Sequence, residues 1–118
     1  GNGDMHLKNW SLLEKENLDS HFRLSPCYDF LNTRLPLPKE KFELAIPLNG
    51  RQNNLNGRLF LEFAQQLKIT REAVNILDEL PRWKEVTEEF VSVCYLSDWE
   101  RELYLEIVEE RYQRLLKI

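Results

Sequence analysis

A chain of 118 residues with 42% hydrophobic side chains, three Trp and six Phe carries enough apolar material for one small globular body or a piece of one. Its formal net charge of −4, with no extended basic cluster, argues against a nucleic-acid backbone as its direct partner. No apolar run is long enough to span a bilayer and nothing reads as a signal peptide, so the simplest location is the cytoplasm and no membrane contact is expected. Cys27 and Cys94 are far apart and not in Cys-x-x-Cys form, which predicts two reduced, mostly packed thiols. A zinc site built from them with His6 and His21 lacks the paired, closely spaced ligands such sites use.

The chain opens on Gly3-Asp4-Met5-His6-Leu7-Lys8-Asn9. Residues 1–9 read as loop that frays, as chain ends do. Gly1 stands where a Met would start a gene product and reads as a processing scar. Trp10–Leu13 reads as a short strand that Phe22–Ser25 pairs with antiparallel, and the polar stretch 14–21 makes the turn. Paired strands lie about 4.8 Å apart, so the hairpin brings Pro26 back beside Trp10. Asp29 then needs only a local bend to reach Asn9.

That convergence matters chemically. Moving a γ-phosphoryl group requires positioning and charge neutralisation more than covalent help. Kinase catalytic loops space a proton-handling Asp and a metal-binding Asn as Asp-x-x-x-x-Asn, and a later Asp supplies the metal carboxylate. Asp4 and Asn9 have this spacing, and Asp29 is the candidate third member. Magnesium takes one or two carboxylates and completes its shell with phosphates and water. The pattern alone is common by chance, and Asp29 has a second reading as the N-cap of a short turn over Asp29–Thr33.

Four prolines make residues 26–50 poor helix material. Phe42–Ile46 alternates loosely, as an edge strand would, and Asn49-Gly50 signals a turn. Four amphipathic helices follow. The first covers about 57–68 with Asn56 as N-cap and Leu59, Phe60, Phe63, Ala64 and Leu67 on one face. The second begins after Thr70 as cap residue. The third covers about 81–95, with Pro81 near its start and Trp83, Val86, Phe90 and Cys94 as its stripe. The last covers about 98–117, entered through the capping-box pattern Ser97-Asp98-Trp99-Glu100, with Trp99, Leu103, Ile107, Val108, Tyr112 and Leu115 turned inward. Trp83, Trp99 and the Phe residues are read as core at the spacing burial demands, and Tyr28 likewise. Glu106, Glu109, Glu110, Arg111 and Arg114 read as a solvated helix face. The fold class is therefore α+β, mostly α: a hairpin and irregular segment over 1–50, then a four-helix subdomain over 51–118.

Gly3-Asp4-x-His6-x-x-Asn9 looks like the loop shared by small-molecule kinases and the HipA-like kinases. Trp10-Ser11-Leu12-Leu13, then Leu24-Ser25-Pro26-Cys27-Tyr28-Asp29-Phe30 and Asn32-Thr33, resembles the HipA family more particularly. There a short hairpin leads into a Ser/Thr-Pro-x-Tyr-Asp segment. Leu48-Asn49-Gly50-Arg51 and the helical tail are similar to that family too, so the resemblance spans nearly the whole chain and is strongest over 1–33. The Asp-Phe-Gly of ordinary protein kinases is absent, Leu31 standing where Gly would be, and Asn2 stands where many members of the broader group have His.

The resemblance implies part of a kinase-like C-lobe from a serine/threonine kinase. Asp4 would be the catalytic aspartate and Asn9 and Asp29 ligands of magnesium, with His6 close to the phosphates of ATP. His6 has a plainer reading as a donor to a backbone carbonyl. Full-length members act as toxins in bacterial toxin–antitoxin pairs, which implies a HipB-like helix-turn-helix antitoxin and a protein substrate as partners. The sequence contains no glycine-rich phosphate-covering loop and no strand lysine ahead of the catalytic loop. The chain is therefore expected to be the C-terminal part of a larger kinase, inactive alone and prone to self-association through apolar surface. Two other functions fit less of the sequence. One is a non-catalytic scaffold module of kinase-like shape. The other is a fragment of an aminoglycoside- or choline-type phosphotransferase, which the Ser-Pro-x-Tyr-Asp segment disfavours.

Overall fold

Near the N-terminus, Leu12–Glu14 (β1) and Phe22–Leu24 (β2) pair antiparallel in a two-stranded sheet. In the computed structural model, which describes residues 2–14 and 21–118, the register sets Leu12 opposite Leu24 and Glu14 opposite Phe22. A further bond runs from the Ser25 N–H to the Ser11 carbonyl at 2.8 Å. The expected hairpin is present, but Trp10 lies outside it, and most of the expected turn over 14–21 falls outside the described residues. One hairpin face carries Leu12, Phe22 and Leu24, all exposed.

The chain divides into two units, Gly1–Asn53 and Asn54–Ile118. In the first, the N-terminal loop is tied down rather than frayed. Asn2 forms an isolated parallel bridge with Leu44, and Leu7–Asn9 winds into a 3₁₀ turn. That bridge is all that Phe42–Ile46 contributes to sheet structure, so the expected edge strand is absent. The segment bonds through Glu43 and Leu44 N–H groups to the Gln52 carbonyl instead. Asn49 and Gly50 have φ of 48° and 76°. With the two Leu48–Arg51 backbone bonds of 2.8 and 2.9 Å they close a tight turn that requires positive φ at both centres, which Asn-Gly supplies at least cost.

The second unit holds four helices: Gly57–Gln66 (α1), Thr70–Asp78 (α2), Leu80–Val93 (α3) and Asp98–Leu115 (α4). The molecule is thus mostly helical α+β, as expected. Asn56 caps α1, its side-chain oxygen accepting the Leu59 N–H at 2.9 Å. Thr70 is not a cap but the first residue of α2. Glu100 accepts from the Ser97 hydroxyl at 2.5 Å and from the Ser97 N–H at 2.9 Å, and these bonds, the hydroxyl's first, hold its carboxyl below the usual range and anchor the start of α4. Gly57 sits so close to the Leu115 carbonyl that any Cβ there would collide with it.

α1 packs on α2 and α4, and α3 packs on α2 and α4. Leu55, Leu59, Ala64, Val91 and Ile107 form the buried centre. This core is thinner than the periodicity suggested. Trp83, Phe90 and Trp99 are 57%, 68% and 60% exposed, so the reading of these aromatics as core is corrected. Helical spacing gathers apolar residues on one face but does not say whether anything covers it. The charged face of α4 is corrected in the other direction, since the Arg111 and Arg114 side chains are only 17% and 16% exposed.

Lys84 on α3 joins α3 to α4. Its Nζ lies 2.8 Å from Glu88 and 3.1 Å from Glu109, and 5.5 Å from the centre of the Tyr112 ring. Bonds to Glu88 and then Glu109 raise the Lys84 pKa above its usual range. Gln113 and then Lys84 lower that of Glu109. A depressed carboxylate contributes stability above its unfolded value of 4.5 that is lost as pH falls through the folded value. A raised lysine contributes below 10.5 and loses that contribution as pH rises through its higher folded value. Melting of the helical signal is therefore expected to shift down on acidification below 4.5, and the Lys84→Met variant should show a smaller acid-side shift. Identical pH profiles for the two proteins would contradict this link. Among the described residues, no helix is long and apolar enough to cross a membrane.

Candidate functional site

The segment after β2 turns back toward the N-terminal loop because two of its residues accept unusual local geometry. Pro26 blocks continuation of the strand ladder. Asp29 adopts a left-handed φ of 58°, a region that Asp and Asn tolerate better than most side chains. The result is a direct contact between residues twenty apart in sequence: Asn9 Nδ2 donates to Asp29 Oδ2 at 2.5 Å. The reading of Asp29 as the N-cap of a short turn over 29–33 is corrected, since the turn that follows lies over 33–36 and starts four residues later.

Further bonds hold the two segments together. Asn2 Nδ2 donates to the Asp29 carbonyl at 2.9 Å, while its Oδ1 accepts the Asp4 N–H at 3.1 Å. The Gly3 N–H donates to Thr33 Oγ1 at 3.0 Å, and Thr33 is 7% exposed. The Tyr28 hydroxyl donates to the Lys8 carbonyl at 3.2 Å. Tyr28 is 44% exposed, so its place is a polar strut rather than the core position expected for it. Cys27 beside it is an exposed free thiol, not a packed one. Sequence reasoning did not assign the supporting parts played by Asn2, Tyr28 and Thr33. Their only sequence signal was proximity to the motif, because each bond spans a loop rather than a periodic element.

Asp4 and His6 occupy the same loop. His6 Nε2 is 4.0 Å from Asp4 Oδ1, with the side chains 47% and 77% exposed, so both face solvent and are open to a reactant. Among the described residues the imidazole makes no bond to a backbone carbonyl. Gly3 has a steric reason to be glycine: a Cβ there would lie 2.6 Å from the Phe42 carbonyl oxygen. Gly3→Ala must push the loop away from residue 42 and is expected to destabilise this unit by about 1–3 kcal/mol. Urea unfolding followed by Trp10 fluorescence in a Trp83→Phe, Trp99→Phe background checks this, and an unchanged midpoint would contradict the close approach.

Asn9 provides the test of whether a cation suits this site. It is 8% exposed, and its Oδ1 is buried with no hydrogen-bond partner. The amide orientation is set by its neighbour, since reversing it would press oxygen against the Asp29 carboxylate. A buried acceptor left unmatched costs about 1–3 kcal/mol and calls for an explanation such as an ion. Among the described residues no three His, Cys, Asp or Glu side chains gather to hold a metal. One amide oxygen beside one carboxylate suits magnesium, which keeps waters and nucleotide phosphates as its other ligands.

Fold and site together define a mostly helical α+β protein in which a hairpin returns an aspartate to a polar N-terminal loop. Residues 1–89 match the family described as the HipA-like C-terminal domain, and the chain belongs to that family. No curated protein matches it.

Proposed function

We propose that the chain is the catalytic-loop portion of a HipA-like serine/threonine kinase that transfers the γ-phosphoryl group of ATP to a protein hydroxyl. The observation that carries this reading is the Asn9–Asp29 contact with its buried, unmatched Asn9 Oδ1. Asn9 and Asp29 would hold magnesium, which when bound would offset the charge of the nucleotide phosphates. Asp4, exposed on the same loop, orients the attacking hydroxyl and accepts its proton. His6, next to Asp4, would lie close to the phosphates of bound ATP.

The family also supports a toxin–antitoxin context, with a HipB-like helix-turn-helix protein as restraining partner. The exposed apolar side chains of the hairpin and of α3 are the surfaces through which the isolated chain would self-associate. The reading is tested with the full-length gene product and radiolabelled ATP. Phosphate on serine or threonine of a protein acceptor is expected, with growth arrest on expression relieved by the neighbouring helix-turn-helix gene. Labelling of a small alcohol or aminoglycoside instead would favour the metabolic phosphotransferase. No labelling of any acceptor would favour the scaffold module. The 118-residue chain, whose sequence has no glycine-rich run, is expected to turn over no ATP.

A further inference from the structure

We propose that Asn2 is a positioning residue for phosphoryl transfer, its single side-chain amide fixing the backbone that carries Asp4 to the backbone that carries Asp29. The inference rests on the kinase reading of those two aspartates. The Asn2 amide uses both of its ends. Nδ2 donates across 27 residues of sequence to the Asp29 carbonyl at 2.9 Å, and Oδ1 accepts the Asp4 N–H at 3.1 Å.

An amide group is rigid and planar, so neither segment can shift without dragging or breaking the bond to the other. The bond to Asp29 falls on the residue whose positive φ of 58° leaves its carboxylate aimed at Asn9. The Asn9–Asp29 contact sets one relation, between the two proposed metal-binding side chains. Asn2 sets a different one, between the proton-handling loop and the metal carboxylate. These are the groups whose separation must match the distance from attacking hydroxyl to metal-bound phosphate.

Asn2 is also placed so that its side chain is separable from the fold. Its backbone is held independently by the bridge to Leu44, and its carbonyl accepts the Met5 N–H at 3.5 Å. Removing the amide therefore need not free the loop. Aspartate at this position keeps the acceptor for the Asp4 N–H but loses the donor, and sets a negative charge against the Asp29 carbonyl. Glutamine keeps both groups on a stem one methylene longer, which spoils their placement.

The test uses the full-length protein and two readouts: Mn²⁺ affinity in the presence of ADP, from the paramagnetic resonance of the free ion, and the Mg²⁺ dependence of transfer. Asn2→Asp is expected to weaken Mn²⁺ binding about tenfold, as partners behind metal ligands do. It should raise the half-saturating Mg²⁺ and leave the melting temperature nearly unchanged. Unchanged Mn²⁺ affinity would overturn the proposal, as would a lowered melting temperature with normal affinity in the folded protein. If Asn2→Asp does not fold, Asn2→Gln is measured with the same criteria. Asp29→Asn separates the two levels. If it too leaves Mn²⁺ binding unchanged, the kinase reading fails and the positioning role with it. If it abolishes binding while the Asn2 variant binds normally, only the positioning role fails.

Discussion

Replacing Asp4 by alanine in the full-length protein is expected to lower phosphoryl transfer by at least ~10² while leaving the fold intact, because a positioned acid/base group contributes that much or more. The two halves of this expectation have separate grounds. The Asp4 side chain is 77% exposed, and among the described residues its ion-pairing neighbour is the His6 imidazole at 4.0 Å. Deleting an exposed carboxylate of this kind changes stability by about 0.5 kcal/mol or less. Its backbone N–H, which Asn2 holds, survives the substitution. The loss should fall on kcat, with the KM for ATP nearly unchanged, since the carboxylate addresses the acceptor hydroxyl rather than the nucleotide. Transfer at the wild-type rate would favour the scaffold reading. A rise in KM at constant kcat would move Asp4 from the chemistry to nucleotide binding.

The second large effect belongs to Asp29, and the choice of replacement decides what is learned. Alanine would remove the carboxylate, leave the buried Asn9 amide without its acceptor, and place a Cβ-bearing residue of low left-handed tolerance at a φ of 58°. Unmatched burial alone costs about 1–3 kcal/mol. Asparagine avoids both problems. It tolerates positive φ, and its amide oxygen can accept the Asn9 Nδ2 bond. What it lacks is charge. Asp29→Asn is therefore expected to melt within about 1 kcal/mol of wild type and to lose transfer by a factor on the order of 10², with a raised Mg²⁺ requirement. A variant that is equally stable and equally active would show that the Asn9–Asp29 contact serves structure only.

Local chemistry was the legible part of this sequence. Asn56 as a cap, Asn49-Gly50 as a turn, Pro81 near the start of α3 and the antiparallel hairpin itself each depend on residues within a few positions, or on one short hairpin. The helices were placed within a few residues for the same reason. Relations set by distant chain segments were not legible. Phe42–Ile46 alternates like a strand, but among these residues only Leu44 forms a β-bridge, and it does so with Asn2. Tyr28 reads as core from its ring, yet its hydroxyl is held at the surface by a carbonyl twenty residues earlier. Trp83, Phe90 and Trp99 show the limit of periodicity: it identifies a face, and the covering of that face is a separate fact. At the candidate site the identity of Asp4, His6, Asn9 and Asp29 came from spacing and resemblance. The amide of Asn2 and the steric demand on Gly3 came only from coordinates.

The most direct measurement is the anomalous diffraction of Mn²⁺ soaked with a non-hydrolysable ATP analogue into crystals of the full-length protein. A peak between Asn9 Oδ1 and the Asp29 carboxylate, about 2.0–2.2 Å from each, with phosphate oxygens completing the shell, is the predicted result. A metal bound elsewhere, with the Asn9–Asp29 hydrogen bond intact and Asn9 Oδ1 still without a ligand, would contradict the account.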